Sequence, residues 1–472
     1  MSNRTDQRQN ISEIIDASPL TGRQWLFFGL IFSLILADGM DTTIISHTFP
    51  SLVSQWGVSI GGGISLVVTA SFLAMGVGAL IAGRLGDRWG RKAVLIAAAI
   101  FVSAGTALGG TAPDFYMFMI WRLVASLGIG GVMPVALTLL TELVPAKRRA
   151  AMLTASFAGT GIGSAVGAAL AGVLIPTFGW QTLLYVGGAI PLVITILIWA
   201  IVPESPLFFA SVGSLDGVRN SMKSINPRTN INLLELPVVD SSTSSRGAMH
   251  KLFKAPLRAR TILITSFAFL ALSTQVVIVQ YLPLLLQLPV PGMTTVQSSN
   301  IVASYALAGV LSTLILSLFL ARWHYFPVIG LCLGLGAIVA FAVSLSHNAS
   351  YSTLFIVMTA AGFFLTAPLG PTANMIAVDA YPDAMRSSGL GITGLSARVG
   401  SATLGASGGV LVGAGVGFGG FFLTLLIPFS LLGMALIGIR SVLPREPKPL
   451  PQSHKDYRLD LEQQTPLLDK SP

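Results

Sequence analysis

An all-α membrane protein, with twelve transmembrane helices in two six-helix bundles, is the fold class predicted by three features of the sequence. The first is composition: 53% of the 472 residues are hydrophobic and 10% are charged, with a mean hydropathy of +0.76. A soluble domain carries about 25% charged residues. The second is a succession of twelve apolar runs, each of roughly 18 residues or more and so long enough to span a bilayer. The third is that, among the loops, only alternate ones carry Lys or Arg.

The runs lie at 24–48, 64–83, 91–111, 115–139, 150–174, 181–202, 260–287, 299–321, 326–346, 351–378, 388–413 and 418–440. Met1–Arg23 is a polar tail of mixed charge, so the first run is expected to double as an uncleaved insertion signal. Spans 1–6 make one unit (24–202) and spans 7–12 a second (260–440). Between them lies a linker (203–259) rich in Ser, Asn, Arg and Lys, and a polar tail follows (441–472). The linker and the tail are expected to be too polar and Pro-rich to fold alone. Fifty glycines and 26 prolines suit a polytopic bundle, in which helices tolerate both residues and pack through small ones.

Orientation follows from the cations. The N-terminal tail, the loops after spans 2, 4, 8 and 10, the linker and the C-terminal tail all carry Lys or Arg, whereas loops 49–63, 112–114, 175–180, 288–298, 347–350 and 414–417 carry none. Both termini and the linker are therefore expected in the cytoplasm. This pattern accounts for most of the net charge of +9 without any nucleic-acid partner. The one cysteine, Cys332, excludes a disulfide framework and a cysteine-based metal site. No G-x-x-x-x-G-K-[ST] run is present, so a gradient or the substrate itself has to supply the driving force. Neither a nucleophile–base constellation nor a histidine cluster suggests an enzyme. No cofactor or metal is expected; the partners are a small solute, protons and membrane lipid, and a monomer is the expected working unit.

Chemistry concentrates in span 1, where LILADGMDTTIISHTF places Asp38 and Asp41 inside the apolar run. A carboxylate at bilayer depth is costly, roughly 2.5–3.5 kcal/mol on insertion scales. Such residues usually face a protein interior or a water-filled path. The alternative is a pair of caps on a short broken helix. At 1.5 Å per residue, both aspartates stand about 21–26 Å up span 1, and Arg122 lies about 10 Å below the outer end of span 4. In a core ~30 Å thick these depths coincide. Arg398 lies about 15 Å into span 11, in the other half. A buried arginine needs an acceptor; an organic carboxylate is one candidate for Arg398, backbone carbonyls another. For Arg122 the alternative to substrate binding is a permanent salt bridge to Asp38 or Asp41. How firmly a carboxylate holds a proton depends on burial and on nearby cations. A helix shift that changes the pairing of Asp38 or Asp41 would thus load or unload a proton.

After span 2 the chain reads GRLGDRWGRKAVL, in which Gly83 and Gly90 permit tight turns and Asp87 stands among Arg84, Arg88, Arg91 and Lys92. This run resembles the signature loop of the major facilitator superfamily, and the resemblance extends over roughly 24–440. It implies two bundles around a central cavity working by alternating access. By the same resemblance, Gly83, Asp87, Arg88, Gly90 and Arg91 belong to a conformational lock, with Glu142 at the end of span 4 as a partner and Arg386 before span 11. The corresponding stretch after span 8, LARWHYFPV, has lost the Asp and the glycines.

Four further stretches are similar to the aromatic acid:proton symporter family of that superfamily: DGMDTTIISHTFP in span 1, WRLVASLGIGGVMPVALTLLTELVPAKRRA in span 4, PESPLFF after span 6, and YPDAMRSSGLG with GLSARVGS around span 11. Ser46 and His47 depart from the pattern. The resemblance implies proton-coupled uptake of a small aromatic carboxylate of the 4-hydroxybenzoate or protocatechuate kind, with Asp38 and Asp41 in proton coupling and Arg122 and Arg398 in substrate binding. Tyr281 could stack on an aromatic substrate or belong to an interfacial belt. The resemblance also implies a bacterial inner membrane. Alternative readings are a porter of another organic anion or a sugar, and a transporter-like receptor. In span 5, Gly159, Gly163 and Gly167 at four-residue spacing form a smooth packing face. Gly389, Gly391 and Gly394 are expected to serve close packing or bending, and Glu204 a gate contact.

Overall fold

A computed structural model describes residues 11, 14–16, 19–226, 252–254, 257–369, 372–381 and 385–443. Among these residues the chain is helical throughout. The long helices are α1 (Gly22–Trp56), α2 (Ser65–Trp89, entered through a π turn at Ile60–Ile64), α3 (Arg91–Gly109), α4 (Phe115–Leu143), α5 (Ala146–Phe178) and α6 (Trp180–Ile201) in the first half. The second half holds α7 (Arg258–Leu286), α8 (Thr295–Arg322), α9 (Tyr325–Leu345), α10 (Tyr351–Ala380), α11 (Arg386–Gly413) and α12 (Phe418–Val442). Eleven of them are long and apolar enough to cross a bilayer. The twelfth expected span, 388–413, is the helix α11, whose glycines, serines and Arg398 lower its hydropathy.

Local chemistry sets the ends. Thr21 and Gln24 form a capping box at the start of α1, and Thr294 and Gln297 do the same for α8. Asp114 accepts from the Met117 amide at the start of α4, at 2.9 Å. Gly57, Gly90 and Gly179 take φ of 62°, 103° and 84° at the junctions after α1, α2 and α5, a region that favours glycine. Pro50, Pro134, Pro176, Pro191, Pro283 and Pro368 lie inside helices, as packed transmembrane helices allow. Large apolar side chains such as Leu80, Ile196, Trp199, Leu318, Leu331 and Ile437 remain exposed around the bundle. That is the belt a bilayer covers.

Within the first half α1 packs on α5, α4 and α6, and α4 packs on α2 and α3; within the second half α7 packs on α11 and α12, and α8 packs on α10. The halves meet along α5–α8, α2–α11 and α1–α7. They close at the end bearing the uncharged loops. There a Cβ on Gly413 would lie 2.6 Å from the Gly61 nitrogen. Ser65 Oγ donates to the Ala406 carbonyl (3.1 Å), and the Tyr281 hydroxyl donates to that of Gly405 (2.8 Å). Toward the basic end, by contrast, a Cβ on Gly83, Gly391 or Gly394 would meet nothing within 4 Å. So α2 and α11 converge at the uncharged end and part at the basic end. Of the three glycines at the start of α11, only Gly389 serves close packing, against the Tyr381 ring.

The start of the linker folds rather than running free. Pro206–Ser211 and Leu215–Ile225 are short helices, and Val218, Met222 and Ile225, at the spacing of one helix face, are buried. Thr21 and Arg23 donate to the carbonyls at the end of the second helix. Residues 227–251 and the tail from 444 lie outside the described residues.

Candidate functional site

The site begins with a close approach of α1 and α5. Ser164 Oγ donates to the Gly39 carbonyl (3.1 Å). A Cβ on Gly163 would strike the Leu36 carbonyl, one on Gly167 would lie 2.7 Å from the Met40 carbonyl, and one on Gly159 would lie 2.8 Å from the Phe32 ring. The stripe read in span 5 therefore seats α1 and fixes the rotation of its two aspartates. The helix is continuous through both, which removes the reading of Asp38 and Asp41 as caps of a broken helix.

Asp41 is buried at 1% exposure. Its Oδ2 stands 2.5 Å from Nη1 of Arg122, itself 5% exposed, and its Oδ1 accepts from Thr106 Oγ1 at 2.6 Å. Three helices of one half (α1, α3 and α4) thus converge on one carboxylate. The depth coincidence read for spans 1 and 4 is met, and it selects Asp41. Thr106 escaped the sequence reading. A threonine in an apolar helix ordinarily returns its hydroxyl to its own backbone, as Ser103 does to the Ala99 carbonyl, so nothing marked it.

Asp38 behaves differently. Residues three apart differ by about 60° around a helix, enough to turn Asp38 away from α4. It is half-buried, and its Oδ1 has no hydrogen-bond partner among the described residues. Arg398, half-buried on α11 of the other half, lies within electrostatic reach of Asp38. No carboxylate stands within ion-pair distance of Arg398 among the described residues. The structure therefore holds one closed ion pair inside a single half and two opposite charges, one from each half, that are not closed on each other. Tyr281 sits apart from both. It is fully buried against α11, with its ring within about 3 Å of where a Cβ on Gly408 would stand.

At the basic end Arg91 is the hub. Its Nη2 lies 3.1 Å from Asp87, its Nε lies 3.4 Å from Glu142, its Nη1 donates to the Gly86 carbonyl (3.0 Å), and its guanidinium lies over the Phe208 ring. Asp87 is 78% exposed. Glu204 accepts from the backbone nitrogens of Lys92 (2.9 Å) and Ser205 (2.9 Å), and a Cβ on Gly90 would strike its carboxylate. It anchors the first turn of α3 as an acidic cap. Arg88 is exposed and Gly83 faces open space. Arg386 begins α11, and its side chain lies outside those described.

An apolar pocket of about 310 Å³ opens on the flank between α8, α9 and α10, lined by Phe319, Trp323, Leu331 and Phe364 among others. Its lining carries no charged side chain and includes neither aspartate, so it suits an apolar occupant better than a carboxylate. Among the described residues no group of three or more His, Cys, Asp or Glu stands close enough to hold a metal ion.

The chain matches the family described as Major Facilitator Superfamily over residues 31–349 and 291–469. It is similar to a gallate transporter of Pseudomonas putida, 29% identical with 90% of this chain and 92% of that one covered. It is also similar to the 4-hydroxybenzoate transporter PcaK of the same organism, 28% identical with 91% and 95% covered. Among solved structures it resembles the partially occluded, inward-open xylose transporter XylE from E. coli, with a TM-score of 0.69, 17% identity and 91% and 100% of the two chains covered.

Proposed function

The chain belongs to the major facilitator superfamily, a family of membrane transporters and not of enzymes, and on that premise we propose that it carries a small aromatic carboxylate into the cell together with protons. The observation that carries this reading is the contrast between Asp41, closed on Arg122 and Thr106, and Asp38, whose Oδ1 is unpaired among the described residues and which lies within electrostatic reach of Arg398 from the opposite half. An arginine binds a carboxylate bidentately. A substrate acid docked on Arg398 would take over the cation that Asp38 senses and so alter that acid's hold on a proton. Substrate binding and proton binding are then linked through one pair. Arg122 maintains Asp41 as a second acid whose pairing changes when the halves rock. The aromatic character of the substrate is supported by the relatives that carry gallate and 4-hydroxybenzoate.

The two bundles, 24–202 and 260–440, move as bodies on either side of this site, as repeat-built transporters do. The basic end is cytoplasmic by the distribution of Lys and Arg, and the uncharged end is outside. Both tails and the linker 203–259 are on the inner side of a cell membrane. The closed uncharged end and parted basic end correspond to an inward-facing state. Gly83, Asp87, Arg88, Gly90, Arg91, Glu142 and Arg386 serve as the lock of the opposite state, in which Asp87, exposed and paired here with Arg91 alone, gains partners from the other half.

The test is uptake of labelled 4-hydroxybenzoate into proteoliposomes with and without an inward proton gradient, for wild type and Asp38→Asn. Gradient-dependent uptake that disappears in the variant supports the reading. Gradient-driven flux of a sugar or an aliphatic acid with no uptake of any benzoate overturns the substrate class and leaves the transporter.

A further inference from the structure

Below the seal at the uncharged end, α1, α2, α4 and α7 line a small cavity of about 10 Å³, the space one water molecule needs. Phe49, Phe72 and Met75 supply apolar wall. Three polar side chains also line it: Ser71 and Arg122 from the first half, and Gln280 from the second. All three are buried, at 4%, 5% and 3% exposure. Each presents an atom with no hydrogen-bond partner among the described residues: Ser71 Oγ, Arg122 Nε and Gln280 Oε1. Leaving one such group unpaired in a dry interior is costly, and three around one cavity require a common answer.

The chemistry of the three atoms specifies that answer. Arg122 Nε–H only donates, Gln280 Oε1 only accepts, and a serine hydroxyl does either. One water accepts from the first, donates to the second and completes its shell with the third. An anion would face the Gln280 oxygen, and a cation would face the guanidinium. We propose that an ordered water occupies this cavity and ties Arg122 to Gln280 across the two halves. Closure of the uncharged end and the Asp41–Arg122 pair then stabilise each other.

The consequence rests on the alternating-access reading; the water does not. When α7 leaves α1 and α2 as the uncharged end opens, Gln280 withdraws and the cavity joins bulk solvent. Arg122 Nε is then hydrated from outside. The local dielectric rises, and the attraction between Arg122 and Asp41 weakens. Gln280 is thus a positioning residue: it acts on Asp41 through a water and an arginine, without touching the substrate. An uncharged polar residue in an apolar helix was the available sequence signal, and the acids and arginines overshadowed it.

Two measurements test the proposal. A structure of the wild-type protein with the uncharged end closed, at a resolution that shows ordered waters, is expected to place one water within hydrogen-bond distance of all three atoms. A dry cavity, or a direct bond between Arg122 and Gln280, overturns it. The second measurement is the spin-label distance between Ser54→Cys and Val290→Cys in a Cys332→Ser background, which reports opening of the uncharged end. Gln280→Leu is expected to raise the open population about threefold to tenfold, the worth of one net hydrogen bond, and Ser71→Ala is expected to act in the same direction. Combined with Asp41→Asn, Gln280→Leu should add less than its effect alone, because both act through Arg122. No shift in either variant, or strictly additive effects, overturns the linkage. If water and shift are found but no benzoate is transported, only the substrate reading falls.

Discussion

At Asp41 a carboxylate is held by two donors on two other helices, and all three groups are out of water. Removing one partner of a buried pair strands the other, at about 3–5 kcal/mol. Asp41→Ala is therefore expected to lower the melting temperature of the purified protein sharply. Asp41→Ala with Arg122→Met should recover part of that loss without recovering transport. Thr106→Val deletes a hydrogen bond to a charged acceptor, about 1.5–3 kcal/mol, and should show in the same melt. Asp38 has no such closed partnership, so Asp38→Asn should melt close to wild type while proton-driven accumulation is lost. A melt that falls as far for Asp38→Asn as for Asp41→Ala would contradict the division of roles between them.

Helix α5 sets how α1 stands, and glycine is the means. A methyl group at Gly163 overlaps the backbone carbonyl of Leu36, whereas one at Gly391 on α11 meets nothing within 4 Å. Neither a backbone carbonyl nor the helix that carries it yields as a flexible side chain does. Gly163→Ala is expected to force α5 from α1, with a yield of monodisperse protein several-fold below wild type. Gly391→Ala should be neutral or mildly stabilising, because alanine also lowers the entropy of the unfolded chain. Size-exclusion profiles of the two variants, made side by side, decide it. Equal profiles would mean that α1 is not seated by this stripe.

For the whole molecule the question is which end is closed and which side it faces. Gly61 and Gly413 touch backbone to backbone across the halves at the uncharged end. A Cβ on Gly61 would lie 3.8 Å from Val410 Cα, so a Gly61→Cys, Val410→Cys protein, made with Cys332→Ser, is expected to cross-link under mild oxidation and to lose net uptake until reduced. In intact cells a membrane-impermeant thiol reagent should label Ser59→Cys and spare Lys254→Cys. Labelling of the reverse pattern would invert the orientation and turn the closed end toward the cytoplasm.

Much of this protein is written in one dimension. Apolar run length and the run Gly83–Lys92 determine helices and family, because a bilayer allows few ways of satisfying backbone groups; loop charge sets the orientation the labelling experiment tests. The acids and arginines of the candidate site were legible because a charge within an apolar run is costly and so calls for a partner. What the one-dimensional pattern does not contain is rotation about each helix axis and the identity of the neighbour it faces. The contact of α1 with α5 turned Asp41 to Arg122 and left Asp38 outside that ion pair. It brought Thr106, a residue of no distinction in its own span, onto Asp41, while the packing of α3 on α6 made Glu204 a helix cap. The seating of α7 against α1 set Gln280 on the cavity that Arg122 also lines and buried Tyr281 in the seal. Those pairings depend on shape complementarity between helices far apart in the chain, which only the packed tertiary structure decides.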